Sequence, residues 1–379
     1  MLNKIENLIT LLLNDFLSQG YKTEICLNNS NVNNRNINNN NNNNELEVND
    51  NSNTFYTCGN ERQTTAITTS TLGRSLVSAT TLSLDKLYYG RLCSRKRFAS
   101  FLYVLAEVHD LFLSRSHCTY RQLYYRNVNI ECTTLQIQCA VNDVCQALGT
   151  TSWNLGIFAA GKCFISGPLL VHMSNGDVID CDVFKGPTLM PPNFTYIDKF
   201  VTTAKFVLVV EKDTVFENLI VNGIFSMLNG SIILVTARGY PDISTRWILH
   251  KLWTENHLAI YALVDGDPFG IEIMLIYRYG SMAQSLNANN LTCPQLKWLG
   301  IHPSDISHLM TQTEPLAGND YNKIESLLRR PYIDHEIYTE LLILRSLQCK
   351  VKIDNMSANM LNLFISDYIV NKIKRQIVL

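Results

Sequence analysis

Three acidic residues lie directly after apolar runs that are typical of buried strands. Glu211 follows FVLVV, and Asp265 and Asp267 follow YALV with one residue between them. Because alternate residues at a strand end can point the same way, both aspartate carboxylates can reach one ion. Oxygen ligands of this kind suit Mg²⁺, with Mn²⁺ as the alternative ion. The three acids are therefore the predicted metal ligands.

Each of these acids also has a plainer interpretation, because Asp commonly caps helices and occupies turns. For any one acid considered alone, that interpretation is the better one. A glutamate and an Asp-x-Asp pair after separate strands of one sheet favour the metal site instead.

The segment YRQLYYRN contains Arg121, Tyr124 and Tyr125. A tyrosine oxygen can attack a phosphodiester and stay attached to the nucleic acid through a phosphotyrosine bond. The pKa of free tyrosine is near ~10, so the hydroxyl needs a cation or base nearby at neutral pH. Arg121 is four residues from Tyr125, shares its helix face and can stabilise charge on a phosphate. By itself, however, this segment is better explained as an aromatic-rich helix with half-buried tyrosines, and His117 is a weak candidate base that fits an exposed loop residue better.

The acids need a sheet to position them, and the apolar segments around them predict one. KFVLVVEKD, SIILVTARGYPD and LAIYALVDGDPFG read as short buried strands, separated by the helical segments TVFENLIVNGIFSML and ISTRWILHKLWTEN. Apolar strands that alternate with helices indicate a parallel α/β sheet. Ligands in such sheets bind at the carboxyl ends of the strands, which is where the three acids fall.

The tyrosine pair belongs to a different kind of region. Residues 96–114 and the segment TTLQIQCAVNDVCQALG show helical periodicity. Between them, Thr119 and Gln122 match a capping box, which predicts a short helix from Tyr120. A strand-like stretch with a Gly-Asp turn signal follows, and helices followed by a hairpin fit a winged-helix DNA-binding domain.

The N-terminus is predicted to form an amphipathic helix over residues 2–17, because its apolar residues fall at helical spacing. Glu6 and Asp15 interrupt the apolar run, which argues against a signal peptide. Residues 28–53 are dominated by asparagine and residues 54–80 are polar, so both are expected to form a disordered linker.

Composition restricts the remaining classes of protein. The 379 residues suggest two or three domains, and the net charge of −1 requires that any DNA-binding basic surface be local. The 11 cysteines contain no Cys-x-x-Cys, which disfavours a zinc site and indicates reduced thiols. No apolar stretch is long enough to cross a bilayer, so no membrane partner is expected.

Several segments together carry a resemblance to a known family. They occur in the order SHCTYRQLYYRN, GIFAAGKCFISG, FVLVVEKD, ARGYPDISTR, LVDGDPFGIEIMLIYRYGS, KWLGIHPSD and LLRRPY. The set resembles the topoisomerase VI A-subunit family, and within it the eukaryotic branch that makes meiotic DNA breaks. The Glu and Asp-x-Asp arrangement is similar to that of a Toprim domain, a metal-binding fold of topoisomerases and primases.

The resemblance implies a domain order. It predicts a winged-helix, CAP-like domain with the nucleophilic tyrosine over residues 81–199. A Toprim domain with a parallel sheet and a C-terminal helical extension is expected over 200–379. Before these come an amphipathic partner-binding helix over 1–20 and the disordered linker over 21–80.

The resemblance also implies a reaction and a place. Tyr125 corresponds to the family nucleophile, Arg121 to the arginine beside it, and the three acids to the Mg²⁺ ligands. Attack on the scissile phosphate would leave a 5′-phosphotyrosyl protein–DNA link and start homologous recombination in the nucleus, on meiotic chromosomes. The class is that of type IIB, ATP-hydrolysing topoisomerases, although the chain has no GxxxxGK[ST] loop of its own, so any ATP use lies elsewhere.

The expected partners are double-stranded DNA, a second copy of the chain, meiotic accessory proteins and a topoisomerase VI B-like protein. In the implied homodimer, Tyr125 of one copy acts beside the acids of the other. Leu8, Ile9, Leu12 and Phe16 are predicted to lie in a groove on the B-like protein. The alternative is that this helix folds back onto its own chain.

Two other functions stay open at this point. One is that of the topoisomerase VI A component, which reseals DNA with a B partner, and the other is a catalytically silent DNA-binding scaffold, against which the intact tyrosine and acids argue. The chain also departs from the family pattern. Gln122 stands where Asp is usual, Phe269 where His is frequent, and Lys162-Cys163 where Lys-Gly is common.

Overall fold

A computed structural model of the chain describes residues 1–19, 23–27, 66–67, 78–79, 85–126, 132–281, 291–309 and 312–379. The asparagine-rich segment and most of the predicted linker lie outside these residues. Glu24–Leu27 lies inside the predicted linker yet forms a strand paired with Asp85–Tyr88. The linker prediction is wrong for these four residues, because Ile25 and Leu87 are buried on the core side of this pair.

Helices account for much of the described chain. The α-helices are α1 (Leu2–Gln19), α2 (Leu92–Leu113), α3 (Tyr120–Arg126), α4 (Thr134–Leu148), α5 (Asp213–Val221), α6 (Ile224–Met227), α7 (Ile243–Thr254), α8 (Pro268–Tyr279), α9 (Gly318–Leu328), α10 (His335–Leu347), α11 (Ala358–Leu363) and α12 (Asn371–Arg375). Short 3₁₀ turns cover Trp153–Leu155, Val183–Lys185, Phe194–Tyr196, Pro303–Asp305 and Ile353–Asn355, and a π-helix covers Phe364–Val370. None of the helices in the described ranges is both long and apolar enough to cross a bilayer.

The strands are mostly short. They are β1 (Glu24–Leu27), β2 (Ala66–Ile67), β3 (Ser78–Ala79), β4 (Asp85–Tyr88), β5 (Cys118–Thr119), β6 (Ile157–Phe158), β7 (Phe164–Ser166), β8 (Leu169–Met173), β9 (Val178–Asp180), β10 (Thr188–Leu189), β11 (Ile197–Thr202), β12 (Phe206–Val210), β13 (Ile232–Thr236), β14 (Ala259–Leu263), β15 (Lys297–Gly300), β16 (Glu314–Pro315) and β17 (Cys349–Lys350).

The chain forms two compact units. The first comprises Met1–Thr65 and Thr80–Phe158, and the second comprises Ala66–Ala79 and Ala159–Leu379. The division after Phe158 does not coincide with the sequence-based boundary at 199, because β7 hydrogen-bonds to β13 of the large sheet. The sequence-based ranges stay a prediction of how the chain divides into domains.

The first unit is a helical core with small strand pairs at its margins. α4 begins and ends as the sequence predicts, with a capping box between Thr133 and Gln136 and Gly149 in the left-handed region at φ 62°. A two-pronged ion pair of Arg97 with the buried Asp143 joins α2 to α4, at 2.8 and 2.7 Å. A buried charge with a partner of this geometry fixes how the two helices pack.

The amphipathic helix α1 packs against this core. Leu12 is buried, Leu8 and Ile9 contact the same apolar cluster, and the Phe16 ring meets the Tyr89 ring edge-on at 5.2 Å. In this chain the helix therefore folds back onto its own core, as the alternative expects, while the groove on a B-like protein stays a prediction. An isolated helix of this length has marginal stability in water, so it is stabilised by packing on the nearest apolar surface.

The second unit is built on a six-stranded sheet in the order β10-β7-β13-β12-β14-β15. The strands from β13 to β15 run parallel, and β7 and β10 add antiparallel pairs at one edge. β13 is buried along its whole length, as expected where helices cover both faces of a parallel sheet. The predicted parallel α/β sheet is confirmed.

The same unit carries a three-stranded antiparallel sheet, β11-β8-β9, and a helical C-terminal part. The predicted Gly-Asp turn joins β8 to β9, with Gly176 at φ 91°. Near the C-terminus, Lys372 Nζ lies 2.5 Å from Asp305 Oδ2 and 3.0 Å from both His302 Nδ1 and Tyr368 Oη. This buried network ties the last helix to the turn after β15.

Candidate active site

The three predicted metal ligands lie at the carboxyl ends of two neighbouring strands. β12 and β14 pair in register, with Val210 opposite Leu263, so Glu211 and Asp265 follow at the same edge of the sheet. The Glu211 Oε2 atom accepts a hydrogen bond from the Asp265 backbone N–H at 2.9 Å. The parallel register that the apolar runs predict is therefore what places these two acids side by side.

Asp265 is held on both carboxylate oxygens. Its Oδ1 accepts a hydrogen bond from the Ile353 backbone N–H at 3.0 Å, and its Oδ2 lies 2.7 Å from Lys212 Nζ. Lys212 Nζ is also 2.7 Å from Asp354 Oδ2. A C-terminal segment thus supports an acid that belongs to the centre of the sheet.

Asp267 plays the capping role that its residue type allows. It is the N-cap of α8, with Pro268 in the first turn, and its Oδ1 accepts from the Gly270 backbone N–H at 2.7 Å. Gly270 also permits close packing here, since an added Cβ would lie 2.5 Å from the Asp265 carbonyl oxygen and 3.1 Å from Glu211 Oε2. Asp267 therefore caps α8 and also lies close to the other two acids.

Burial and mutual repulsion dominate the electrostatics of this edge. Burial, and then the nearby Asp265 carboxylate, raise the pKa of Glu211 to about 7. Burial and the same neighbour raise the pKa of Asp267. Like charges in a poorly solvated place disfavour ionisation, and a divalent cation would relieve that cost.

The chemistry of these donors fits a hard cation such as Mg²⁺, which prefers carboxylate oxygens. In the arrangement of the described residues, however, no three Asp, Glu, His or Cys side chains are gathered as a ready metal site. Instead, Lys212 and the Ile353 backbone N–H contact Asp265, and the Gly270 backbone N–H contacts Asp267.

The tyrosine pair lies on α3, in the first unit. The helix begins at Tyr120, as predicted, because Thr119 and Gln122 form the reciprocal capping contacts. The Thr119 N–H donates to Gln122 Oε1 at 2.7 Å, and the Gln122 N–H donates to Thr119 Oγ1 at 3.2 Å. Gln122, which replaces the family's usual Asp, therefore starts the helix that carries the tyrosines.

The two tyrosines differ sharply in exposure. Tyr125 is 64% exposed, whereas Tyr124 is half-buried and packs on the apolar core. Arg121 Nη2 lies 3.5 Å from Tyr125 Oη, and its guanidinium lies 5.8 Å from the ring centroid. His117 is an exposed loop residue whose ring contacts Phe158 edge-on. Tyr125 thus has an accessible hydroxyl with a cation beside it.

Sequence reasoning missed a cluster around Glu272, on α8. Its carboxylate accepts hydrogen bonds from Tyr240 Oη and Arg330 Nη2 and lies 2.8 Å from Lys323 Nζ. Tyr240, Glu272 and Arg330 come from ARGYPD, GIEIM and LLRRPY, three of the segments that carry the family resemblance, but no local spacing connects them. Only the folded chain brings the two cations to one carboxylate.

The two remaining departures from the family pattern have structural roles. The Phe269 ring, where His is frequent, lies 5.4 Å from Lys323 Nζ. Cys163 is fully buried, and the backbone N–H of Lys162 donates to Asp242 Oδ2 at 3.3 Å. Neither substitution removes one of the candidate site residues.

Known proteins match both units. The family profile for the Toprim domain of the topoisomerase 6 A-subunit/Spo11 proteins matches residues 206–373, and the profile described as "Type IIB DNA topoisomerase" matches residues 96–157. Meiotic recombination protein W68 of Drosophila melanogaster is 41% identical over 294 residues, which cover 78% of this chain and 88% of W68.

The chain belongs to the topoisomerase VI A-subunit/Spo11 family. Meiotic recombination protein SPO11 of Homo sapiens is 33% identical over 286 residues, covering 74% of this chain and 72% of that protein. The DNA topoisomerase 6 A-subunit of Arabidopsis thaliana is 36% identical over 237 residues, covering 62% of this chain and 52% of that protein. The predicted family resemblance is confirmed.

In this Spo11-family chain the Toprim match begins at β12 and contains all three acids of the sheet edge. The predicted Toprim domain is confirmed, within a mixed α/β unit whose central strands are parallel. The N-terminal match covers α3 and both tyrosines.

Proposed function

We propose that this chain makes meiotic DNA double-strand breaks by Mg²⁺-dependent tyrosine transesterification. The exposed Tyr125 hydroxyl beside Arg121 carries the proposal, because a nucleophile must reach a phosphate that cannot enter a buried pocket. Family membership supports it, since relatives at 41% and 33% identity are named meiotic recombination proteins.

In the proposed reaction the Tyr125 oxygen loses its proton and attacks the scissile phosphorus. The 3′ oxygen leaves with its bonding electron pair and takes up a proton, so no net proton is consumed. One phosphoester bond replaces another, so the cut itself needs no ATP. The product is a 5′-phosphotyrosyl link with a free 3′-hydroxyl. Arg121 stabilises the negative charge that develops on the phosphate oxygens.

Glu211, Asp265 and Asp267 are the proposed holders of the ion. When bound, Mg²⁺ supplies Lewis-acid stabilisation of the phosphate and of the departing oxygen. The raised pKa of Glu211, caused by burial and Asp265, supports this assignment because such a site gains most from a cation.

The proposal extends to architecture and partners. The first unit would act as a winged-helix, CAP-like DNA-binding domain. Two copies of the chain would cut the two strands of double-stranded DNA, with Tyr125 of one copy beside the acids of the other. The work would take place in the nucleus, on meiotic chromosomes and with accessory proteins. A topoisomerase VI B-like protein would contact the flank of α1 on which Leu13 and Leu17, four residues apart, are exposed.

The experiment is to trap and map covalent protein–DNA adducts. Wild-type chain should yield adducts at DNA 5′ ends, Tyr125→Phe should yield none, and Tyr124→Phe should keep them. Both variants should bind DNA as the wild type does, because each loses one hydroxyl. Adducts from Tyr125→Phe together with none from Tyr124→Phe would show that Tyr124, and not Tyr125, is the nucleophile.

The main competing function is that of a topoisomerase which reseals the cut, and the 36% identity to an Arabidopsis topoisomerase 6 chain favours it. ATP-dependent relaxation of supercoiled DNA with a B-type partner would indicate that function. Accumulated, unsealed adducts would indicate break formation, and no adduct under any condition would indicate a DNA-binding scaffold.

A further inference from the structure

Lys212 lies at the acid edge, which is the edge of the large sheet where Glu211, Asp265 and Asp267 follow their strands, and no sequence pattern assigned it a role there. It follows Glu211 directly, and its ammonium lies between two carboxylates, 2.7 Å from Asp265 Oδ2 and 2.7 Å from Asp354 Oδ2. The Lys212 side chain is therefore within ion-pair distance of both carboxylates.

The two partners of Asp265 differ in how easily they can leave. The Ile353 N–H on Oδ1 belongs to a backbone segment anchored by paired hydrogen bonds between Gly266 and Val351, at 3.0 and 3.2 Å. Lys212 on Oδ2 is the end of a flexible side chain that is 25% exposed. A cation that binds Asp265 can displace the lysine much more easily than the backbone.

Asp354 can keep its ion pair with the Lys212 ammonium after the ammonium leaves Asp265. Thr214 Oγ1 donates to Asp354 Oδ1 at 2.5 Å, which leaves Oδ2 facing Lys212. The Asp354 side chain is 34% exposed, so it lies on the solvent side of the buried Asp265. Lys212 can thus keep one ion pair while it gives up the other.

We propose that Lys212 is a tethered counter-ion that a divalent metal displaces from Asp265, and that Asp354 retains the displaced ammonium and so sets the metal affinity. The inference rests on the proposed metal role of Asp265. Lys212 neutralises Asp265 before the metal arrives, and its charge opposes the metal until it moves. Lys212 and Asp354 act as positioning residues, because they act on the metal through Asp265.

The test is a Mn²⁺ titration of the full chain without DNA, followed by electron paramagnetic resonance of the free ion. Lys212→Met should tighten Mn²⁺ binding about tenfold, because one competing positive charge is gone. Asp354→Asn should weaken it by about the same factor, because the ammonium then has Asp265 as its remaining carboxylate partner. Lys352→Met is the matched control: this nearby lysine pairs with Glu314 at 3.5 Å, and its loss should change affinity less than about twofold.

The double variant Lys212→Met/Asp354→Asn separates the roles. If Asp354 acts through Lys212, the Asp354→Asn effect disappears in the Lys212→Met background. If the effect persists, Asp354 contacts the metal itself and the inference is overturned, as it is if Lys212→Met weakens binding or leaves it unchanged. Lys212→Gln, with thermal unfolding of each variant, covers the case in which Lys212→Met does not fold.

Asp265→Asn keeps this test distinct from that of the proposed function. Loss of Mn²⁺ binding in Asp265→Asn with no tightening in Lys212→Met would overturn the Lys212 inference alone. Unchanged Mn²⁺ binding in Asp265→Asn would overturn the proposed metal site and the inference with it.

Discussion

The helix α3, which carries the proposed nucleophile, and the acid edge differ in exposure and in how the chain holds them. Tyr125 is exposed, and the contacts described for its helix start, through Thr119 and Gln122, and for Arg121 lie within a few residues of it. Asp265 is buried and is held by a residue 88 positions away in sequence. The group proposed to reach a DNA backbone stands exposed on a locally capped helix, whereas the carboxylates are buried and are held by a distant part of the chain.

The largest effect expected from this comparison is at the acid edge. Asp265→Asn keeps the size of the side chain but removes the charge, so metal-dependent cutting should fall by a factor of roughly 10² or more. Asp267→Asn should cost less, since Asn also caps helices well and α8 keeps its N-cap. Quantified adducts at fixed Mg²⁺ measure both, and metal-independent cutting by Asp265→Asn would contradict the assignment.

A smaller effect is expected from the cation beside the nucleophile. Arg121→Ala should reduce adduct formation by about 10- to 100-fold, because one exposed donor to the phosphate is lost while Tyr125 stays in place. Arg126→Ala is the matched control, since Arg126 lies on the same short helix as Arg121 and pairs with Glu107 of α2 at 3.5 Å. Equal losses in the two variants would mean that overall positive charge, and not the position of Arg121, is what matters.

The burial of Glu211 should also make the thermal stability of the protein depend on pH. The folded-state pKa of Glu211, about 7, lies above its ordinary value of 4.5, so the protonated form favours folding. That stabilisation is complete below about pH 4.5 and is lost as the pH rises through about 7. In chelator, the melting temperature of the wild type should therefore fall relative to that of Glu211→Gln between about pH 5 and 8. A constant difference would contradict the raised pKa.

The smallest effect is expected at the start of the nucleophile helix. Gln122→Ala removes the Oε1 acceptor and with it both hydrogen bonds from Thr119, which should cost about 0.5–1 kcal/mol of unfolding free energy. Because α3 is short, the fractional loss of adduct formation should exceed the fractional loss of unfolding free energy. Chemical denaturation and the adduct assay measure the two losses, and unchanged adduct formation would show that Tyr125 does not depend on the cap.

What the sequence could predict follows the same division. The capping pattern at Thr119 and Gln122 and the apolar runs before Glu211 and Asp265 are local signals, and the elements they predict are present. Periodicity also predicts α1, but it cannot say which surface covers an apolar face, so the packing of Leu12 on the chain's own core could not be read from the sequence. The contact of Ile353 with Asp265 depends on the tertiary fold and has no local pattern.

The same long separation has a consequence during synthesis. Asp265 receives its Ile353 partner only after the ribosome has added 88 further residues, which takes roughly 4 to 18 s at ordinary elongation rates. The helix with Tyr125, by contrast, has all its described capping residues as soon as it emerges. Under the proposed function, a nascent or prematurely terminated chain would display the proposed nucleophile without a finished acid edge, and the order of translation would delay the ability to cut DNA.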